Sequence, residues 1–426
     1  MPVELPGFYF DVEKNRYFPL SSKPQIYEKA ARTIASVHQC DDKRTSESNL
    51  RDTGRRAWSP WHSRLKMLNN SLSLSQRHSH EILCAHYESS SRKTSDLLPT
   101  FGKIQAFRSI LVGDNFFRVV GDTRGWLYND RAPHFGAQIA WSADFNLQHQ
   151  SPISSISASG THFVATCLDV AKISVHDLKA PEHVYILNIN NLHDIWDSHL
   201  DGTALTLGAS KRAVYIPDIE VSASLEYLNT SSDTLSIYHR KTLVYAGTRN
   251  GSVERFDMRM PKQRKQKLFG DRFHGATPSS VLHLSIPREH ELLMSHLNGD
   301  LLTYDLRSVS TTSLSSPVTI YRGHVNTYTR NLGIAVDERH DILFAAGQDC
   351  RIRAWSMRTG VLLTPPTRRD GIMTDYNPLS AVFSDPVCAL QVTEENGEAG
   401  TTLWAASGRN LHQFRLGQRA PWTVED

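Results

Sequence analysis

Between Phe117 and Leu416 the chain repeats one pattern seven times: an apolar run, a turn with Gly, Asn or Asp, a second alternating run, then a bulky residue and a polar one. The copies run Phe117 to Asp130, His162 to Leu178, Thr203 to Ile219, Leu243 to Met258, Leu292 to Leu306, Ile342 to Met357 and Leu403 to Leu416. The polar residue after the bulky one marks the phase at Asn129, Asp177, Asp218, Asp257, Asp305, Ser356 and Arg415, in steps of 48, 41, 39, 48, 51 and 59 residues. A unit of this size cannot cover its own apolar face and must bury it against the next copy. The fold class expected over 101–426 is therefore all-β, with one small sheet per unit.

A period of ~40–45 residues with occasional longer loops is the signature of a WD-repeat β-propeller, one four-stranded sheet per blade. A β-sandwich is the rival account, since alternating strands every dozen residues also build sandwiches; the period favours the ring. Asn250-Gly251 and Asn298-Gly299 supply the φ > 0 residues that a type I′ hairpin requires between two strands. In the sixth copy His324, Asp349 and Trp355 match the His, turn-Asp and strand-Trp positions of the hydrogen-bonded network found in WD-repeat blades. Ala345 and Ala346 stand where that network usually has Ser or Thr, so it is expected to be incomplete. A closed ring also needs one blade to borrow a strand from the other chain end. The expected lender is Ile104 to Leu111, pairing with Leu403 to Leu416.

Upstream of the array, residues 1–35 carry an aromatic opening, and residues 36–100 are polar and Ser-rich with few β-branched residues. That composition buries too little apolar surface to offset ordering entropy, so a partly disordered N-terminal extension is expected. Inside it Trp61, Leu65, Leu68 and Leu72 recur at helical spacing and predict a short amphipathic helix, packed on a core or docking a partner.

Lys+Arg 47 against Asp+Glu 44 leaves +3, with no chain-wide field to attract nucleic acid or an anionic membrane. The opening has neither a basic nor an apolar leader, and no apolar run reaches the ~20 residues of a membrane span. Five scattered cysteines form no C-x-x-C pair, which points to a reducing compartment, nucleus or cytoplasm. Phosphate-loop, dinucleotide and nucleophile-elbow motifs do not occur. His80-Glu81 and His290-Glu291 begin like zinc-protease helices, but Cys84 and Met294 stand where the second imidazole belongs, and His78 with His80 is too sparse a pair. No metal, cofactor or catalytic residue is expected. Lys262, Arg264, Lys265 and Lys267 read as a solvated loop between blades.

The sharpest motif closes three successive copies: Phe256-Asp257-Met258-Arg259, Tyr304-Asp305-Leu306-Arg307, and Trp355-Ser356-Met357-Arg358 with the acid replaced. Residues i and i+2 share one face of a strand, which predicts Asp and Arg side by side and the Arg heads at one rim. A guanidinium suits a protein contact because its planar fork directs several donors and sheds water readily.

The stretches Val244 to Arg259 and Leu292 to Arg307 resemble the aromatic-Asp-x-Arg box of WD-repeat substrate receptors of cullin-4 RING ubiquitin ligases. Pro6-Gly7-Phe8-Tyr9-Phe10-Asp11 with Asn15-Arg16-Tyr17-Phe18, and Gly323-His324-Val325-Asn326 with Gly347-Gln348-Asp349-Cys350, are similar to one member of that set. The resemblance implies a non-enzymatic receptor. Its rim, through Asp257, Arg259, Asp305 and Arg307, would bind the multi-propeller adaptor named for damaged-DNA binding, and through it cullin-4. Another surface would hold a protein substrate. Arg358, without its acid, is the doubtful contact. The alternative is a WD-repeat scaffold of another nuclear or cytoplasmic assembly, in RNA processing or chromatin.

Overall fold

The computed structural model describes residues 8–11, 16–19, 74–75, 77–96, 102–113, 115–132, 141–180, 183–221, 224–260, 264–269, 279–309, 316–364, 377–394 and 401–417. The chain divides into two units, Met1–Met67 and Leu68–Asp426. What is described of the first is an antiparallel hairpin, Phe8–Asp11 against Arg16–Pro19, with Tyr9 opposite Phe18 and Phe10 opposite Tyr17. The helical pattern of Trp61 to Leu72 lies outside the described residues.

The second unit is a propeller of seven four-stranded antiparallel sheets, as the repeats predict. Blade one runs from Ile104–Val112 to Ser142–Asn146, blade two from Ile153–Ser159 to Val184–His193, and blade three from Asp197–Asp201 to Glu226–Leu228. Blade four runs from Thr234–Arg240 to Arg264–Lys267, blade five from Val281–Arg288 to Thr319–Ile320, and blade six from Ile334–Asp337 to Leu362–Leu363. The first strands of the blades line a central channel. The basic run Arg264–Lys267 is thus the outer strand of blade four rather than a loop, and Lys265 Nζ lies 3.0 Å from the buried Glu254 carboxylate.

Blade seven corrects the expected closure. Its strands Val387–Glu394, Thr401–Ser407 and Asn410–Leu416 are completed by Ser91–Asp96, with Arg92 opposite Phe414 and Thr94 opposite His412. Ile104–Val112 is instead the innermost strand of blade one, and its apolar character comes from packing against both neighbouring blades. An outermost strand needs only a backbone ladder on one side, so the closing Ser-Arg-Lys-Thr-Ser-Asp carries no apolar signature. This strand lies upstream of the boundary expected at 101. Ahead of it, helical residues 77–87 send Cys84 and Tyr87 into the apolar cluster between blades six and seven.

Burial explains how a chain with only 39% hydrophobic residues folds at this length. Seven apolar clusters among the described residues each sit at one blade interface, in place of a single thick core. Second strands are covered on both faces, and every residue of Thr401–Ser407 is buried. Trp404, 1% exposed, fills the interface of blades seven and one; truncation of such a side chain costs about 3–5 kcal/mol. Beside it Arg118 and Asp130 form a buried pair at 2.6 Å.

The Asn-Gly turns differ from expectation in type. Gly251 and Gly299 have φ of 86° and 88°, while Asn250 and Asn298 are not left-handed. The Gly251 amide donates to the Thr248 carbonyl at 3.1 Å and the Thr248 amide to the Ser252 carbonyl at 3.0 Å, giving a three-residue loop ended by a left-handed Gly. Close approach also demands glycine: a Cβ on Gly251 would stand 2.8 Å from the Ser279 carbonyl oxygen.

Candidate functional site

One rim of the propeller gathers the turns between first and second strands and the ends of the third strands. There the phase-marking acids have a structural task. Asp177, Asp218, Asp257 and Asp305 each use Oδ1 to accept the backbone amide two residues on, from Lys179, Glu220, Arg259 and Arg307, at 3.0, 2.9, 3.1 and 2.9 Å. These are Asx turns that end the strand. In blade six Ser356 Oγ accepts the Arg358 amide at 3.2 Å, so a hydroxyl keeps the turn without the charge.

The expected meeting of Asp and Arg occurs, but its cause is the turn. Val253–Asp257 and Leu301–Asp305 stop at the acid, and each Arg lies beyond the strand. The turn folds the Arg back over the carboxylate. Arg259 Nε donates to Asp257 Oδ1 at 2.9 Å and Nη2 to Oδ2 at 2.6 Å. Arg307 repeats this on Asp305 at 3.0 and 2.8 Å. The two guanidinium side chains are 68% and 69% exposed, and Nη1 of each has no partner among the described residues. The bidentate hydrogen bonds from Arg259 and Arg307 hold the Asp257 and Asp305 carboxyls down at about 2. Each acid fixes its guanidinium as an oriented outward donor, with the entropy of aiming it already spent locally.

Arg358 is equally exposed but differently held. Its Nε donates to Asp341, on the turn between the first two strands of blade six. Asp341 also accepts Arg288 Nε from blade five at 3.2 Å, and Arg288 Nη1 reaches Glu291 at 3.1 Å. Partial burial opposes the Asp341 charge, and the hydrogen bonds from Arg288 and Arg358 overcome it to lower its pKa. Arg358 therefore belongs to an ionic seam across the interface of blades five and six. Sequence reading did not single out Arg288 or Asp341, and no motif marks them; the left-handed φ of 55° at Asp341 is the local clue.

The network of blade six is rerouted. His324 Nδ1 lies 3.2 Å from the Gly299 carbonyl and Nε2 3.0 Å from that of Ala346, while Trp355 Nε1 donates to the Arg322 carbonyl at 2.9 Å. Asp349 does not pair with His324; it takes a fork from Arg353 at 2.9 and 2.6 Å. Burial lowers the His324 pKa, and without a hydroxyl at 345 or 346 the imidazole uses backbone carbonyls. His80 contacts Thr359 at 3.5 Å, and the described residues hold no group of His, Cys, Asp and Glu that could bind a metal.

Fold and rim together define a seven-bladed WD-type β-propeller. Residues 196–389, from the start of blade three into blade seven, match the family model of the DDB1- and CUL4-associated factor 4 beta-propeller domain. The chain is 30% identical over 170 residues to DDB1- and CUL4-associated factor 4 of Bos taurus, covering 39% of this chain and 32% of that protein. It is 31% identical over 149 residues to WD repeat-containing protein 21 of Schizosaccharomyces pombe, covering 35% and 34%. It is 32% identical over 147 residues to DDB1- and CUL4-associated factor 4-like protein 2 of Homo sapiens, covering 34% and 35%. The chain thus matches about a third of the length of these curated relatives. Over blades three to six and the start of blade seven the chain is thus similar to the propeller domain of DDB1- and CUL4-associated factor 4.

Proposed function

We propose that this chain is a non-enzymatic substrate receptor of a cullin-4 RING ubiquitin ligase that holds the DDB1 adaptor through Arg259 and Arg307. The observation that carries the reading is the repeated fork: two neighbouring blades each present an exposed guanidinium clamped on its own acid. Both forks lie within the span that matches the family model, and the relatives' names supply the adaptor. A pre-aimed, weakly hydrated donor loses little entropy on docking, which suits an interface anchor. Catalysis would then be proximity: the receptor raises the effective concentration of a substrate lysine near a ubiquitin-charged enzyme.

The test is co-purification of DDB1 with the full chain carrying Arg259→Ala and Arg307→Ala together. Adaptor recovery should drop at least about tenfold, some 1.4 kcal/mol, with an unchanged melting temperature. Unchanged recovery from a folded variant would remove this assignment and leave a scaffold of another assembly.

A further inference from the structure

At the opposite rim the channel mouth holds a second arginine arrangement. Arg330, on the loop leading into blade six, places its guanidinium carbon 4.3 Å from the ring centroid of Trp196, which leads into blade three. Arg249, from the hairpin turn of blade four, approaches the same indole at 5.8 Å. Arg249 has a carboxylate partner in Asp233 at 3.2 Å, whereas Arg330 has none within ion-pair distance among the described residues. Burial against the indole, and then the nearby Arg249 charge, destabilise the Arg330 cation, and Asp194 offsets this only in part. Trp196 and Arg330 line a cavity of about 370 Å³ at this mouth.

His283 lines both this cavity and a second of about 260 Å³ further along the channel. Arg108 lines the second. Its side chain is solvent-exposed, partial desolvation among the channel strands lowers its pKa, and it too lacks a carboxylate partner among the described residues. Of the acids lining the two cavities, Asp197 accepts the Ser198 and Ile237 amides at 2.8 and 2.9 Å and the Ser155 hydroxyl at 3.2 Å. Glu338 lines the second cavity. Among the described residues two guanidinium groups thus stand without a carboxylate partner along one concave channel, where cations of one sign focus their field on an entering anion.

We propose that the channel is a peptide-recognition site in which Arg330, stacked on Trp196, and Arg108 engage a carboxylate or phosphate on a side chain of the bound segment. A peptide fits better than a free anion. The mouth pairs the cation with the flat indole of Trp196, and the loop that carries Arg330 also exposes Tyr328, 75% accessible two residues earlier; aromatic rings of this kind are surfaces for chain packing. The inference rests on the receptor reading only in calling that segment a substrate.

The test is fluorescence anisotropy of fluorescein-labelled nonapeptides with the full chain, one peptide centred on glutamates, one on phosphoserine and one on glutamine and serine. Inorganic phosphate serves as competitor. Saturable binding of either anionic peptide is expected, weakened at least about tenfold by Arg330→Gln and by Arg108→Gln. Arg330→Lys keeps the charge but loses the stacked fork, and should weaken binding less. Whichever anionic peptide binds identifies the anion. Equal binding of the neutral peptide, unchanged affinity in both folded Gln variants, or binding of phosphate without either anionic peptide would overturn the proposal. Arg259→Ala with Arg307→Ala should retain peptide binding, and Arg330→Gln should retain adaptor co-purification, so the two readings fail separately.

Discussion

Blades four and five differ from blade six by one side chain at the end of the third strand, Asp257 and Asp305 against Ser356, and the fate of the following arginine changes with it. With its own acid two residues back, Arg259 or Arg307 is clamped locally and aimed outward. With a hydroxyl there, Arg358 is drawn to Asp341 and into a seam shared with Arg288. The turn is preserved in all three. An identical residue at an equivalent position thus becomes an outward-facing donor or a fastening between blades, according to which carboxylate reaches it first.

The comparison can be broken most forcefully at the seam. Asp341→Asn keeps a residue that tolerates the left-handed backbone but removes the charge that Arg288 and Arg358 share. It should cost about 1.5–3 kcal/mol, seen as a lower urea midpoint. Asp257→Asn with Asp305→Asn should leave the urea midpoint nearly unchanged, because both forks are exposed, yet lower adaptor capture about three- to tenfold by loosening the guanidinium groups. Equal stability losses in the two sets would erase the distinction. Ser356→Asp should draw Arg358 from Asp341 onto its own strand and raise adaptor capture by about twofold, read by the same co-purification.

Acid supplies the gentlest probe. The folded-state pKa values of Asp257 and Asp305 are depressed to about 2, so the fork contribution is present above the unfolded carboxyl range and lost as pH falls through about 2. Carboxyl NMR titrations should place both midpoints near 2, with the forks intact at pH 4. Midpoints close to the unperturbed Asp value of ~3.9 would show that the clamps are open in solution.

The repeats were legible because a propeller writes each blade twice, once as the covered second strand and once as the acid or hydroxyl that ends the third. Asp177, Asp218, Asp257 and Asp305 marked the phase through their Asx turns, a local requirement that survives changes in packing. The closing strand was illegible for the converse reason. Ser91–Asp96 joins blade seven through backbone pairing, and its side chains show no apolar alternation, whereas Ile104–Val112 looked like a lender because an inner strand is apolar. The Asp-Arg fork could be read from spacing, although a turn rather than strand alternation creates it. Asp341 meets Arg288 at one rim and Arg330 meets Trp196 at the other, each pair drawn from two different blades, and no linear spacing reports such meetings.

The pairing of Ser91–Asp96 with Asn410–Leu416 also sets an order of events in synthesis. The strand that seals the circle is translated first among the propeller's strands and must wait, with its ladder unmet, until the last blade emerges some 300 residues later. Ring closure is therefore the longest-range step in maturation, and a nascent chain halted before Leu416 would carry two unmatched ends for quality control to recognise.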